Sequence, residues 1–318
     1  MKPLVVCIAG PTACGKTAAA VAVCRALNGE VISMDSMQIY RGMDVGTAKP
    51  TAAERVGIPH HMIDILPPTA AYSVSEYQRD AGKIVDEILG RGKLPVFAGG
   101  TGLYLQAVKH PMRFADVDGD EAVRSRLRAE AESEAGRDAL WRRLCTEDPQ
   151  SAARLHKNDV RRVVRALEVL EATGRPIGAA NDWEAPPEYD FLTLGIRWPR
   201  EILRERIEGR VAEMARRGLA QEVRALQKAG VPRDAQAMQA IGYKEICEAL
   251  AGECTMEKAF ALVNIHTRQY AKKQMTWLAR DNDVRWLDAD AFESAQALHE
   301  KMIEEIRSCQ EERKHEAE

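Results

Sequence analysis

Gly10-Pro11-Thr12-Ala13-Cys14-Gly15-Lys16-Thr17 fits the pattern G-x-x-x-x-G-K-[ST], and it stands between the neighbours that pattern requires. Before it lies the apolar run Leu4 to Ala9, of strand length. After it, Thr17 to Leu27 reads as a helix rich in alanine and valine. The glycines let the backbone curl until consecutive N–H groups point at an anion, and the helix start adds positive potential. Lys16 supplies a mobile point charge and Thr17 a hydroxyl for Mg²⁺. The loop leaves the bound compound open, because any diphosphate or triphosphate satisfies the same donors.

Outward from the loop, Val31 to Met34 is a second apolar run and ends at Asp35, which completes a β-α-β opening. Tyr72 to Leu89 has helical spacing with a cap at Ser73 or Ser75. Pro95 to Ala98 is a buried-type strand that runs into Gly99-Gly100-Thr101-Gly102. Strand, helix and strand in this order predict a parallel sheet with right-handed crossovers, an α/β fold of the P-loop NTPase-like class flanked by helices. From about Arg113 the pattern turns helical, behind the acidic turn Asp116 to Asp120. Pro186-Pro187 marks the far boundary, after which Phe191 to Ile196 alternates as a strand and Val284 to Leu287 follows as another. The expected organisation is a discontinuous core of residues 1–112 and 190–308, a helical insertion of residues 113–189, and a charged tail, 309–318, with little to bury.

The composition sets limits on function. Among 318 residues, 45 Lys and Arg against 48 Asp and Glu give a net charge of −3, so no overall basic excess points to nucleic acid. No apolar run approaches the roughly 20 residues of a membrane helix, and no secretory leader is evident, so a cytoplasmic protein is expected. Seven scattered cysteines without a C-x-x-C pair read as reduced thiols. His60-His61 with Asp64 is read as a helix- or strand-edge cluster rather than a metal site, and no structural metal is expected.

Asp35 ends its strand where open α/β sheets bind ligands. It can serve as a Mg²⁺ ligand, as a general base toward an acceptor over the phosphate loop, or as a plain turn residue before Ser36. A motor-type ATPase would want an acid after the strand Val96-Phe97-Ala98, which instead ends in Gly99.

Six ordered motifs carry a family resemblance. They are Gly10 to Thr17; Asp35-Ser36-Met37-Gln38-Ile39-Tyr40; Gly46-Thr47-Ala48-Lys49-Pro50; Gly99 to Tyr104; His156 to Asp159 leading to Arg165–Val169; and Ile241-Gly242-Tyr243-Lys244-Glu245. Together they resemble the bacterial-type tRNA dimethylallyltransferases, the tRNA isopentenyltransferases of the IPP transferase family. The resemblance implies dimethylallyl diphosphate and the N6 amine of adenosine 37 in tRNA as substrates. It further implies Asp35 as general base, Thr101 at the reacting centre, Arg210 as a diphosphate clamp, and Mg²⁺ on Thr17. It would also place Asp35, Ser36, Met37, Gln38, Thr101, Arg124, Arg161, Arg162, Val163, Val164, Arg165, Gln239, Ala240, Ile241, Gly242, Tyr243 and Lys244 against the RNA.

The charge distribution agrees with that implication where the net charge did not. From Asn264 to Arg280 the basic residues Arg268, Lys272, Lys273 and Arg280 meet no acid. Ser151 to Arg175 carries a local charge of +3. Such stripes hold phosphate backbones by counterion release, although a single run is more often a solvated helix face. A monomer acting on tRNA is expected. The rival readings are a P-loop small-molecule kinase and a nucleotide-gated RNA-binding protein.

Overall fold

A computed structural model describes residues 1–110, 121–177 and 187–316. The chain forms two compact units, residues 1–109 with 188–318 and residues 110–187. The expected limits of the insertion, 113–189, differ from these by a few residues. The expected acidic linker Asp116 to Asp120, and Pro186, lie outside the described residues.

In the first unit the apolar hexapeptide becomes β1 (Leu4–Ala9), buried beyond its first residue, and β2 (Gly29–Met34) is buried throughout. Unbroken apolar runs of this kind suit strands covered on both faces. With β3 (His60–His61), β4 (Leu94–Gly99), β5 (Asp190–Arg197) and β6 (Val284–Asp288) they form one sheet in the order β3-β2-β4-β1-β5-β6. Every pairing is parallel. Because side chains alternate along a strand, β1 supplies two cores. Val5, Cys7 and Ala9 face one cluster with Ile32, Met34 and Phe97, while Val6 and Ile8 face another with Val31, Val96 and Leu194.

Helices cover both faces. On the first lie α3 (Val74–Gly90), begun by a Ser73–Glu76 capping box, and α4 (Gly102–Lys109). The second is covered by α1 (Lys16–Leu27). The short α2 (Ala52–Arg55) precedes β3. The second unit holds α5 (Glu121–Glu130), α6 (Glu134–Glu147), α7 (Pro149–Arg154) and α8 (Val160–Thr173), which enclose a core of Leu127, Leu140, Leu144, Val163, Val164 and Leu167. Returning to the first unit, the chain forms α9 (Arg200–Arg216), α10 (Leu219–Lys228), α11 (Tyr243–Leu250), α12 (Met256–Leu278) and α13 (Ala295–His315).

One expectation changes. The tail 309–318 is the end of α13 as far as His315. Cys309 packs against the second core, and Arg313 bonds to Asp190 at 2.7 Å and to the Lys2 carbonyl. A helix face that reaches strand partners buries more than its charge content suggests. The pair His60-His61 is a two-residue edge strand, too short for periodicity to betray. His61 Nε2 lies 2.7 Å from Glu30. Among the described residues no cluster of His, Cys, Asp or Glu has the make-up of a metal site.

Candidate active site

The carboxyl ends of β1, β2 and β4 deliver Gly10, Asp35 and Gly100-Thr101 to one edge of the sheet, where open parallel sheets place their ligands. The phosphate loop turns through positive φ at Gly10 (152°), Ala13 (65°) and Gly15 (104°). A Cβ at Gly10 would stand 2.8 Å from the Ile196 carbonyl, so close approach to β5 demands glycine there. Ala13, without that excuse, accepts a strained turn of about 1–2 kcal/mol. Its methyl is buried against Ile207, Val211 and Val263.

Lys16 Nζ donates to the Pro11 carbonyl at 2.7 Å. Desolvation lowers its pKa, Arg210 adds to the lowering, and Cys14 and Asp35 oppose it. Arg210 donates to Thr12 Oγ1 at 3.2 Å, and its pKa too is lowered by desolvation. Asp35 opposes the lowering in both cations.

Asp35 Oδ1 accepts from the backbone N–H of Met37 at 2.8 Å and of Gln38 at 3.3 Å. The turn role is therefore real, but it uses one oxygen; among the described residues Oδ2 has no protein partner. Thr101 N donates to the carbonyl of Met34, the residue before Asp35, at 3.3 Å, which ties the loops after β2 and β4 together. Thr101 Oγ1 is buried without a hydrogen-bond partner, with the Tyr270 phenol beside it but outside hydrogen-bond geometry. Burial and the neighbouring Asp35 push the Tyr270 phenol up to about 12, so it stays protonated at neutral pH.

The Gln38 amide is oriented at both ends. Its Oε1 accepts from Ser33 Oγ at 3.0 Å and its Nε2 donates to the Thr47 carbonyl at 3.2 Å. Ser36 and Met37 are half-buried beside it. In the later motif Gln239 and Lys244 are exposed and Ile241 half-buried, whereas Ala240, Gly242 and Tyr243 are buried. The Tyr243 hydroxyl donates to Glu222 at 2.5 Å, and the same carboxylate accepts the N–H groups of Asp44, Val45 and Gly46. That part of the motif holds the loop before Thr47 in place.

The basic residues of the insertion divide similarly. Arg161 and Arg162 are exposed, Val163 and Val164 lie in its apolar core, and Arg124 and Arg165 bond to the buried Glu168. The valine side chains therefore face the insertion's core, because α8 is amphipathic and they fall on its buried stripe.

A Mg²⁺ ion at such a loop takes most of its ligands from phosphate and water, so a protein cage is not required. The half-exposed Thr17, second residue of α1, offers a hydroxyl oxygen of the hard type this ion prefers, and the residue fits it.

Reasoning from motifs missed four residues. Gln274 on α12 accepts from Thr12 N at 2.8 Å and donates to the Gly100 carbonyl at 3.0 Å, joining the phosphate loop to the Thr101 loop. Trp198 and Arg206 bond to the carbonyls of Cys14 and Ala13, and Glu222 holds the loop before Thr47. Only Arg206 had a signal in the sequence, its position one helical turn before Arg210.

The chain matches a family model described as IPP transferase over residues 38–281, and one described as isopentenyl transferase over residues 3–64. It is 43% identical over 304 residues to the tRNA dimethylallyltransferase of Caldanaerobacter subterraneus subsp. tengcongensis, covering 94% of this chain and 96% of that one. Its fold is similar to the crystal structure of the full-length tRNA isopentenylpyrophosphate transferase from Bacillus halodurans, with TM-score 0.75, 41% identity and all of both chains covered. It is also similar to a eukaryotic dimethylallyltransferase acting on tRNA, with TM-score 0.76, 31% identity, and 90% of this chain and 74% of that one covered.

Proposed function

This chain belongs to the IPP transferase family, and on that premise we propose that it transfers a dimethylallyl group from dimethylallyl diphosphate to N6 of adenosine 37 in tRNA, releasing diphosphate. The supporting observation is that the Asp35 and Thr101 loops are tied by the bond from Thr101 N to the Met34 carbonyl, while among the described residues neither Asp35 Oδ2 nor Thr101 Oγ1 has a hydrogen-bond partner. An exocyclic adenine amine is a poor nucleophile because its lone pair is delocalised into the ring. As the nitrogen–carbon bond forms, Asp35 accepts the amine proton. The carbon–oxygen bond breaks, and its electron pair leaves with the diphosphate.

Loop N–H groups, Lys16 and Arg210 meet the departing charge, while the Thr101 hydroxyl donates to the bridging oxygen. Thr17 would hold Mg²⁺ together with the diphosphate, and the ion would supply further charge neutralisation. Adenine stacked within the anticodon loop cannot meet the carbon electrophile in line, so the base is extruded and Gln38 reads its edge with an amide already fixed by Ser33 and Thr47. The exposed arginines of α8 hold phosphates of the RNA stem. The enzyme acts as a monomer in the cytoplasm; among the described residues no helix is long and apolar enough to cross a membrane.

Radiolabelled dimethylallyl diphosphate with total tRNA tests this reading. Label in the RNA, released as N6-(dimethylallyl)adenosine on digestion, is the expected result. A phosphorylated small molecule formed from ATP, or RNA binding without any product, would replace it with one of the rival readings.

A further inference from the structure

A phosphate loop turns its N–H groups inward only while its carbonyls are held outward. Besides Lys16 on the Pro11 carbonyl, two side chains from outside the loop hold them here. Arg206 Nε donates to the Ala13 carbonyl at 2.9 Å, and Trp198 Nε1 donates to the Cys14 carbonyl at 3.0 Å. The two also brace each other, since the Arg206 guanidinium carbon stands 4.6 Å from the centre of the Trp198 ring. The carbonyl that Arg206 caps belongs to Ala13, the non-glycine residue of the loop with left-handed backbone. A Cβ on Gly15 would lie 3.9 Å from an Arg206 terminal nitrogen, so the guanidinium follows the loop as far as its second glycine.

We propose that Arg206 and Trp198 are positioning residues for the diphosphate, acting as an outer brace that keeps the loop in its anion-receiving shape before substrate arrives. Their role differs from that of Arg210, which bonds to the Thr12 hydroxyl close to Asp35. Arg206 is exposed and works through the geometry of its fork, with Nε on a carbonyl and its plane on an indole. A brace lowers the cost of ordering the loop on binding, and its removal weakens ground and transition states alike. The inference rests on the prenyl-transfer reading only for the identity of the diphosphate's organic half.

The test is titration of the full-length protein with inorganic pyrophosphate at constant Mg²⁺, followed by steady-state kinetics with dimethylallyl diphosphate and tRNA. Arg206→Lys keeps the charge but loses the fork, and Trp198→Phe keeps a ring but loses the donor. Each is expected to raise the pyrophosphate Kd about five- to tenfold and KM for dimethylallyl diphosphate by the same factor, with kcat within twofold. The double variant is expected to lose little more than the worse single one, because the two residues act as one unit. Thermal denaturation without ligand identifies any variant whose loss is one of folding.

Wild-type pyrophosphate affinity in a folded Arg206→Lys would overturn the brace and assign Arg206 a purely electrostatic role. Multiplying effects in the double variant, or a fall in kcat at unchanged Kd, would overturn it as well. Pyrophosphate results as expected without any transfer to tRNA would leave the brace standing and remove the prenyl-transfer reading.

Discussion

Arg165 and Glu168 lie one turn apart on α8 and pair at 2.8 Å around a carboxylate with no exposed surface, on which Arg124 closes from α5 at 2.7 Å. A buried carboxylate between two guanidiniums is costly to strip. These two arginines thus carry part of the insertion's own structure, and the exposed Arg161 and Arg162 are the phosphate-binding candidates of α8. Replacing Arg161 and Arg162 with alanine should flatten the slope of log affinity against log salt by roughly 0.7–0.9 for each lost phosphate contact, with folding intact. Arg124→Ala should instead destabilise the protein by about 1–3 kcal/mol. Salt titrations of tRNA binding beside urea denaturation separate the two outcomes, and an unchanged slope would move the RNA contact to the stripe from Arg268 to Arg280.

Asp35→Asn should cut turnover about 10²–10⁴-fold, the usual contribution of a general base, while leaving tRNA and dimethylallyl diphosphate affinities within a few-fold. Asparagine still accepts the Met37 and Gln38 N–H groups through its carbonyl oxygen, so the turn persists. Single-turnover kinetics with saturating substrates is the measurement. Near-normal rates would return Asp35 to the turn role that its Oδ1 already fills.

Glu30 gives a pH dependence away from the site. Desolvation would raise its pKa, but Lys93, Arg91 and His61 outweigh it and hold the carboxyl at about 2. The folded value lies below the unfolded value of about 4.3, so the stabilisation is complete above the latter and is lost as pH falls from about 5 toward 2. Glu30→Gln should cost about 1–3 kcal/mol at pH 7. Urea midpoints of variant and wild type, measured against pH, should converge in acid; a constant gap would mean that the carboxyl's ionisation is not what stabilises.

Gly99→Ala should damage stability and activity together. Its Cβ would stand 2.1 Å from the Met34 carbonyl oxygen, a backbone atom of the neighbouring strand that no side-chain rotation can clear. β2 and β4 must part where Asp35 and Thr101 leave them. A loss of about 1–3 kcal/mol is expected, with a fall in kcat beyond what the folded fraction explains. A folded variant with full kcat would show that the active-site spacing tolerates such a shift.

How far the sequence could be read followed the range of the interactions. Leu4–Ala9, the phosphate loop and the strand before Gly99 were legible because local apolar runs and glycines determine them. So was the helical character of the insertion. For His60–His61 only an edge position was legible, helix or strand left open, because a two-residue strand exists only through pairing with Val31 and Ile32. The end of α13 read as a solvated tail because its partners, Lys2 and Asp190, lie far away in the chain. Within the site, Asp35 and Thr101 were found from strand-end position and family resemblance. Gln274 was hidden, since nothing near position 274 announces that both ends of its amide will meet loops more than 170 residues earlier.

The sheet order carries a consequence for how the protein is made. β1 is central, yet its pairing with β5 joins Leu4 to Asp190, so one edge of the first strand synthesised stays open until the insertion has emerged from the ribosome. Contacts of such long range form slowly, and an uncovered apolar strand edge invites pairing with other chains. The insertion, with its own core and its buried Glu168, draws its contacts from nearby sequence. The open edge of β1 is closed only once Asp190–Arg197 has been synthesised, and a chaperone that shields apolar edges would find its target in that interval.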